Sequence, residues 1–190
     1  PVRMTHHWHR VTVLSGGVGG ARLVDGLASV LPPEALTVVV NTGDDFVHWG
    51  LPICPDLDTV MYTLAGLADQ TRGWGLDGET FRALDMMKRY GEDAWFGLGD
   101  RDLATHLVRH QGLTAGRSLT EVTAEMARAL DVNQRILPMT DGVRATRMET
   151  VAEGTLDFQT WLVRRQGAPT LRAVHYEGET RPTDEVLAAI

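Results

Sequence analysis

The run VTVLSGGVGGARL, residues 11–23, passes from a β-branched apolar stretch through a glycine cluster into a helical pattern without a break. That order commits the chain to a strand–loop–helix unit, in which glycines let backbone N–H groups close on an anion at a helix N-terminus. The spacing predicts a strand over Val11–Ser15, a loop over Gly16–Gly20 and a helix from about Gly19 to Val30. Leu23, Leu27 and Val30 are expected on one helical face, and Pro32 and Pro33 end the helix. A second strand, Thr37–Asn41, is an unalternating valine run of the kind that parallel sheets cover on both faces. The two strands are therefore expected to lie parallel, joined by the crossover helix.

The glycine loop alone does not name a ligand. Arg22 stands where the third glycine of a dinucleotide fingerprint would fall, and no Lys-Ser/Thr pair closes the loop as in a P-loop. Arg22 does place a cation one turn into the helix, which favours an anion. The turn after the second strand reads NTGDD, residues 41–45. Adjacent carboxylates at Asp44 and Asp45 repel one another unless a cation or a basic group neutralises them. Mg²⁺ does so with few protein carboxylates and the oxygens of a substrate phosphate. The same residue types are also ordinary turn formers.

ICPDLDT, residues 53–59, brings Asp56 and Asp58 to the start of another helix. One of the two is expected to cap that helix and the other to be free for a ligand. Further on, Asp100 and Asp102 flank Arg101, and His106 follows Asp102 by four residues, as its partner or as a general base. Asp100 is the expected cap of its own helix, which runs to Arg109. Helices are also expected up to about Leu67, over Glu79–Tyr90, and from a Ser118/Glu121 capping box to Leu130. They form a helical insertion over about 57–130. Ala145–Val151 and Thr155–Val163 read as a β-hairpin, Leu171–Tyr176 as a strand, and Thr183 as the cap of a last helix. The pattern is α/β: a Rossmann-like three-layer fold with a mainly parallel sheet, a helical insertion and a β-hairpin, the sheet left incomplete.

A net charge of −7 excludes the basic footprint of a nucleic-acid binder and a surface for anionic lipids. No apolar run approaches a membrane span, and the single cysteine, Cys54, fits a reducing, cytoplasmic setting. Residues 1–10, with three histidines, read as a disordered leader before one domain over 11–190.

SGGVGGARL (15–23), NTGDD (41–45), ICPDLDT (53–59), RGWG (72–75), WFGLGDRDLATHL (95–107), ILPMTD (136–141) and FQTWLV (158–163) together resemble the CofD-like family, the 2-phospho-L-lactate transferases of deazaflavin coenzyme biosynthesis. The resemblance implies a Mg²⁺-dependent enzyme. It would move a phospho-lactyl or phospho-enolpyruvyl group from a guanosine diphosphate conjugate to the ribityl hydroxyl of the deazaflavin Fo, with release of GMP. Carried onto this sequence, Asp58 and Asp45 are catalytic, and Asp44 and Asp56 join them at the metal. Gly17, Gly19, Gly20, Arg22, Asn41 and Thr42 face the donor, while Asp58, the stretch from Trp95 to Asp100 and the FQTW segment face Fo. The resemblance also implies a homodimer, with no nucleic-acid or membrane partner. Gly97 stands where some members carry a basic residue linked to Fo. Members continue through a PSNPxxS loop for the guanosine nucleotide, so these 190 residues are expected to be the N-terminal portion of such an enzyme. The YvcK-like regulators that bind a UDP-sugar are the alternative, but they carry a DDGGSSG-type turn in place of NTGDD.

Overall fold

The computed structural model describes residues 10–178 and 181–190. The expected leader falls almost wholly outside the described residues. β1 (Val11–Ser15), β2 (Leu36–Val40) and β5 (Arg135–Pro138) form a parallel sheet in the order β1-β2-β5, with Val13 opposite Val38 and Val38 opposite Ile136. The valine run has its expected consequence. Val38 and Val40 enter the main core with α1 (Gly17–Ala28), α2 (Pro55–Leu64) and α5 (Leu119–Ala129), whereas Val39 and Leu137 face the other way, onto Val186 of α6 (Asp184–Ala189). The sheet therefore lies between two helical layers. Thr183 caps α6 through the Val186 N–H, and Ser118 with Glu121 closes the expected capping box of α5.

Several local expectations are corrected. α1 begins at Gly17, and its buried face is Ala21 and Val24, supported by Leu27 and Ala28; Leu23 and Val30 are 58% and 75% exposed. The small alanines let α1 lie close against α2, so the core takes that face and the larger side chains turn outward. Residues 44–55 are not simply a loop. β3 (Phe46–His48) and β4 (Leu51–Ile53) form a tight antiparallel hairpin whose two turn residues, Trp49 and Gly50, both have positive φ.

Neither Asp56 nor Asp58 caps α2. Cys54 holds the cap position, Pro55 opens the helix, and both acids sit in its first turn. α3 (Arg82–Arg89) starts later than expected, because Glu79 is drawn to α4 (Asp100–Thr114), where its carboxylate accepts the N–H groups of Arg101 and Asp102. Asp100 does not cap its own helix either. It reaches back to α3 and accepts from the Thr80 hydroxyl at 2.6 Å and the Ala83 N–H at 2.8 Å. The two carboxylates thus cap each other's helices. Finally, the second arm of the hairpin is short. β6 (Ala145–Thr150) pairs with β7 (Thr155–Asp157) on one side and β8 (Leu171–Glu177) on the other, but Phe158–Arg164 turns helical and ends in a π-helical turn, Thr160–Arg164. Asp157 starts that turn by accepting both the N–H and the hydroxyl of Thr160.

Candidate active site

The β1–α1 turn brings two glycines against the first turn of α2. Gly17 has φ +59, and a Cβ added at Gly16 would stand 3.0 Å from an Asp56 carboxylate oxygen. Gly20 is small for a different reason: a Cβ there would press on Ser15 of β1. Gly19 has open space around it. The Gly17 N–H is directed to the Asp56 carboxylate.

Around this turn sits a half-buried acidic group. The Asn41 amide donates to Asp56 at 2.9 Å and to Asp44 at 3.2 Å, while its oxygen accepts the Gly43 N–H. Burial raises the pKa of Asp44, the Asp56 charge adds to the rise, and hydrogen bonds from Thr146 and Asn41 offset only part. Burial raises Asp56 likewise, against hydrogen bonds from Asn41 and Gly17. Asp45 is deeper: burial pushes it up to about 8, with the Cys54 thiol and Arg109 too weak to restore it and the Asp58 and Asp56 charges adding to the rise. One Asp45 oxygen is buried without a hydrogen-bond partner, as is the hydroxyl of Thr42.

A second, fully buried group centres on Asp58. Arg109, on the α4 face toward α2, donates to both Asp58 oxygens, through Nη1 at 3.2 Å and through Nη2. The same Nη1 lies 3.1 Å from Nδ1 of His106. Guanidinium nitrogens only donate, so this Nδ1 carries the lone pair and the ring proton belongs on Nε2, which faces Asp102 at 3.4 Å. The Tyr62 hydroxyl donates to Asp102 at 2.7 Å. Burial opposes the Asp102 charge, but His106, Tyr62 and Arg109 together hold its pKa below the usual carboxylate range. Burial raises the Tyr62 pKa, so the phenol stays protonated.

Two large cavities open on these groups. One, of about 660 Å³, runs along the ends of β1 and β2 past Gly16, Gly17, Asn41, Asp44 and Asp56. The other, of about 380 Å³, is walled by Trp74, Phe96 and Tyr62, with Asp58, Asp102 and His106 at its base. They share Gly17, Asp56, Gln159 and Leu162. A third cavity, of about 480 Å³, adjoins the first at Asp44 and Phe158 and reaches Thr42 and Asp45.

A family model described as 2-phospho-L-lactate transferase CofD matches residues 11–190. The chain belongs to the CofD family. It is 46% identical over 188 residues to a phosphoenolpyruvate transferase of Kitasatospora aureofaciens, covering 95% of this chain and 59% of that protein. It is 42% identical over 179 residues to a 2-phospho-L-lactate transferase of Methanosarcina mazei, covering 93% and 59%. The CofD-family chain thus spans 59% of the length of these relatives. A solved structure of a UPF0052-family protein of Bacillus halodurans matches its fold with a TM-score of 0.58 at 17% identity, over 95% of this chain and 55% of that one.

In this CofD-family chain the residues named from sequence divide into three places. Gly17, Asn41, Asp44 and Asp56 meet at the glycine turn, with Asp45 and Thr42 behind them. Asp58 belongs to the inner group, where the side chains close enough to share a cation are Asp58, Asp102 and His106. Five residues stand apart from the two shared cavities, Gly19 and Gly20 among them. Arg22 lines a small separate recess beside Asp25 and Asp69, Asp100 is taken up by α3, and Trp95 packs among Phe46, His48 and Phe96. The aromatic wall is made by Trp74 and by Phe96, which belongs to the stretch from Trp95 to Asp100 expected there. Sequence reasoning missed Arg109. Its signal was the spacing of Asp102, His106 and Arg109, which places all three along one face of α4.

Proposed function

We propose that this chain forms the substrate-binding core of a transferase that moves a phospho-lactyl or phospho-enolpyruvyl group from a guanosine diphosphate conjugate to the ribityl hydroxyl of Fo, releasing GMP, on the route to coenzyme F-420. The observation that carries the reading is the junction of two unlike cavities: one passing the glycine turn and the Asn41, Asp44 and Asp56 side chains, where a diphosphate would sit with its cation, the other aromatic-walled, suited to a flat heterocycle. Membership of the CofD family and the names of its relatives support the same chemistry.

The acids fit a hard cation. The unpartnered Asp45 oxygen and the charge repulsion between Asp44 and Asp56 are both relieved by one, so Asp44 and Asp56, with Asp45 behind them, would hold Mg²⁺ together with substrate phosphate oxygens, while Asp58 stands with Asp102 and His106 in the inner group. When bound, the cation neutralises phosphoryl oxygens and acidifies the acceptor hydroxyl. The protein's own contribution is alignment. Asp58, fixed by Arg109, presents a carboxylate at the base of the aromatic cavity to accept the hydrogen of the ribityl hydroxyl. The hydroxyl oxygen forms the new P–O bond as the bond to GMP breaks, and the hydroxyl proton leaves.

Fo fluorescence quenching by the purified chain tests the acceptor half of this reading, and UDP-sugar binding in its place would favour the regulator. In a transfer assay, near-wild-type turnover by a folded Asp58→Asn variant would refute it.

A further inference from the structure

The residues shared by the two cavities are few, and their chemistry differs. Leu162 is apolar. Asp56 can only accept, and the Gly17 N–H is already directed to it. That leaves Gln159 as the neutral side-chain donor where the cavities meet. Gln159 as a whole residue is 7% exposed and lines both cavities, and no described residue hydrogen-bonds its amide. An amide that faces a cavity with no protein partner is open to a ligand or water that completes it.

The position of Gln159 is also fixed. Asp157 anchors the following residue by two hydrogen bonds, the Arg165 N–H closes the π-helical turn onto the Thr160 carbonyl at 2.9 Å, and the Trp161 indole donates to the Pro169 carbonyl. π-helical turns are rare and recur at functional sites.

We propose that the Gln159 amide is a binding residue for the anionic phosphoryl group at the junction of the donor and acceptor cavities, donating an N–H to a phosphoryl oxygen. An N–H donor facing the cavity junction fits an oxyanion, here one of the diphosphate class. That this anion belongs to a guanosine conjugate rests on the transferase reading above. A neutral donor suits a place already crowded with Asp44 and Asp56, because it stabilises the phosphoryl oxygens with no fixed charge of its own for those acids to neutralise.

The test is calorimetric titration of inorganic pyrophosphate, with Mg²⁺ present, into the chain and its Gln159→Leu and Gln159→Glu variants. Gln159→Leu is expected to weaken binding about tenfold to a hundredfold, the worth of a hydrogen bond to a charged group. Gln159→Glu keeps the volume but sets a carboxylate against the phosphate, and is expected to weaken it further. Both should retain wild-type circular dichroism, and Fo quenching should fall much less than pyrophosphate affinity. Should Gln159→Leu fail to fold, Gln159→Asn, which withdraws the amide by one methylene, takes its place with the same expectation. Unchanged pyrophosphate affinity in a folded variant, no pyrophosphate binding by the wild-type chain, or equal loss of Fo and pyrophosphate overturns the proposal. A wild-type chain that binds pyrophosphate through Gln159 but does not quench Fo would sink the transferase reading and leave this proposal standing.

Discussion

Arg109 holds both oxygens of the Asp58 carboxylate, from a position where neither side chain reaches solvent to any useful extent. The pair joins α4 to the first turn of α2, and its Nη1 also fixes the orientation of His106. A buried ion pair of this kind contributes little net stability, but losing one member leaves an uncompensated charge.

Arg109→Met is therefore expected to lower the unfolding free energy by about 3–5 kcal/mol, measured by urea denaturation. Arg109→Lys should not restore it, since a single ammonium cannot span both oxygens. Adding Asp58→Asn to Arg109→Met should recover part of the loss. Strict additivity of the two single losses would contradict the pairing.

Asp45 predicts an unusual pH dependence. Its folded-state pKa is raised to about 8, so between the ordinary carboxyl range and pH 8 the folded chain holds a proton that the unfolded chain has released. The unfolded state binds fewer protons, and stability contributed by this group falls as pH rises through that window. Urea midpoints compared between pH 5 and pH 8 should show the decline, and Asp45→Asn should flatten it.

The aromatic residues separate binding from folding. Trp74→Ala is expected to weaken Fo about tenfold or more in a quenching titration, as loss of a stacking face does. Trp95→Ala should instead cost about 2 kcal/mol of stability through the Phe46, His48 and Phe96 contacts, with the affinity of the folded fraction retained. The opposite pattern would return Trp95 to the cavity.

Glu79→Ala removes two N–H acceptors from the start of α4 and is expected to cost about 1 kcal/mol by thermal unfolding. Pyrophosphate binding should be unaffected, because Glu79 lines neither shared cavity.

What could be read from the sequence was whatever has a local signature. The parallel strands, the Ser118/Glu121 box and the Thr183 cap all depend on residues a few positions apart. The Arg109–Asp58 pair spans 51 positions and has no such signature. The acids near helix starts misled for a related reason. Asp before a helix usually caps it, yet Asp100 caps its neighbour, because α3 and α4 start side by side and each lacks an acceptor of its own. FQTWLV was misread as strand because apolar and β-branched residues favour extended chain, and what overrides them is the Asp157 anchor. Trp49 at positive φ hid the β3–β4 turn, where Asn or Gly would have announced it.

The π-helical turn at Thr160–Arg164 holds one residue more than an α-helical turn would. Deleting a single residue there would let the segment relax into ordinary helix, swinging the side chains beyond the deletion by roughly 100°. Leu162 and Val163 would leave the cavity walls together, while the β6–β8 pairing further along stayed in register. Relatives differing by one residue in this segment would thus present a differently shaped chamber on the same scaffold, a change in ligand preference reached by length and not by substitution.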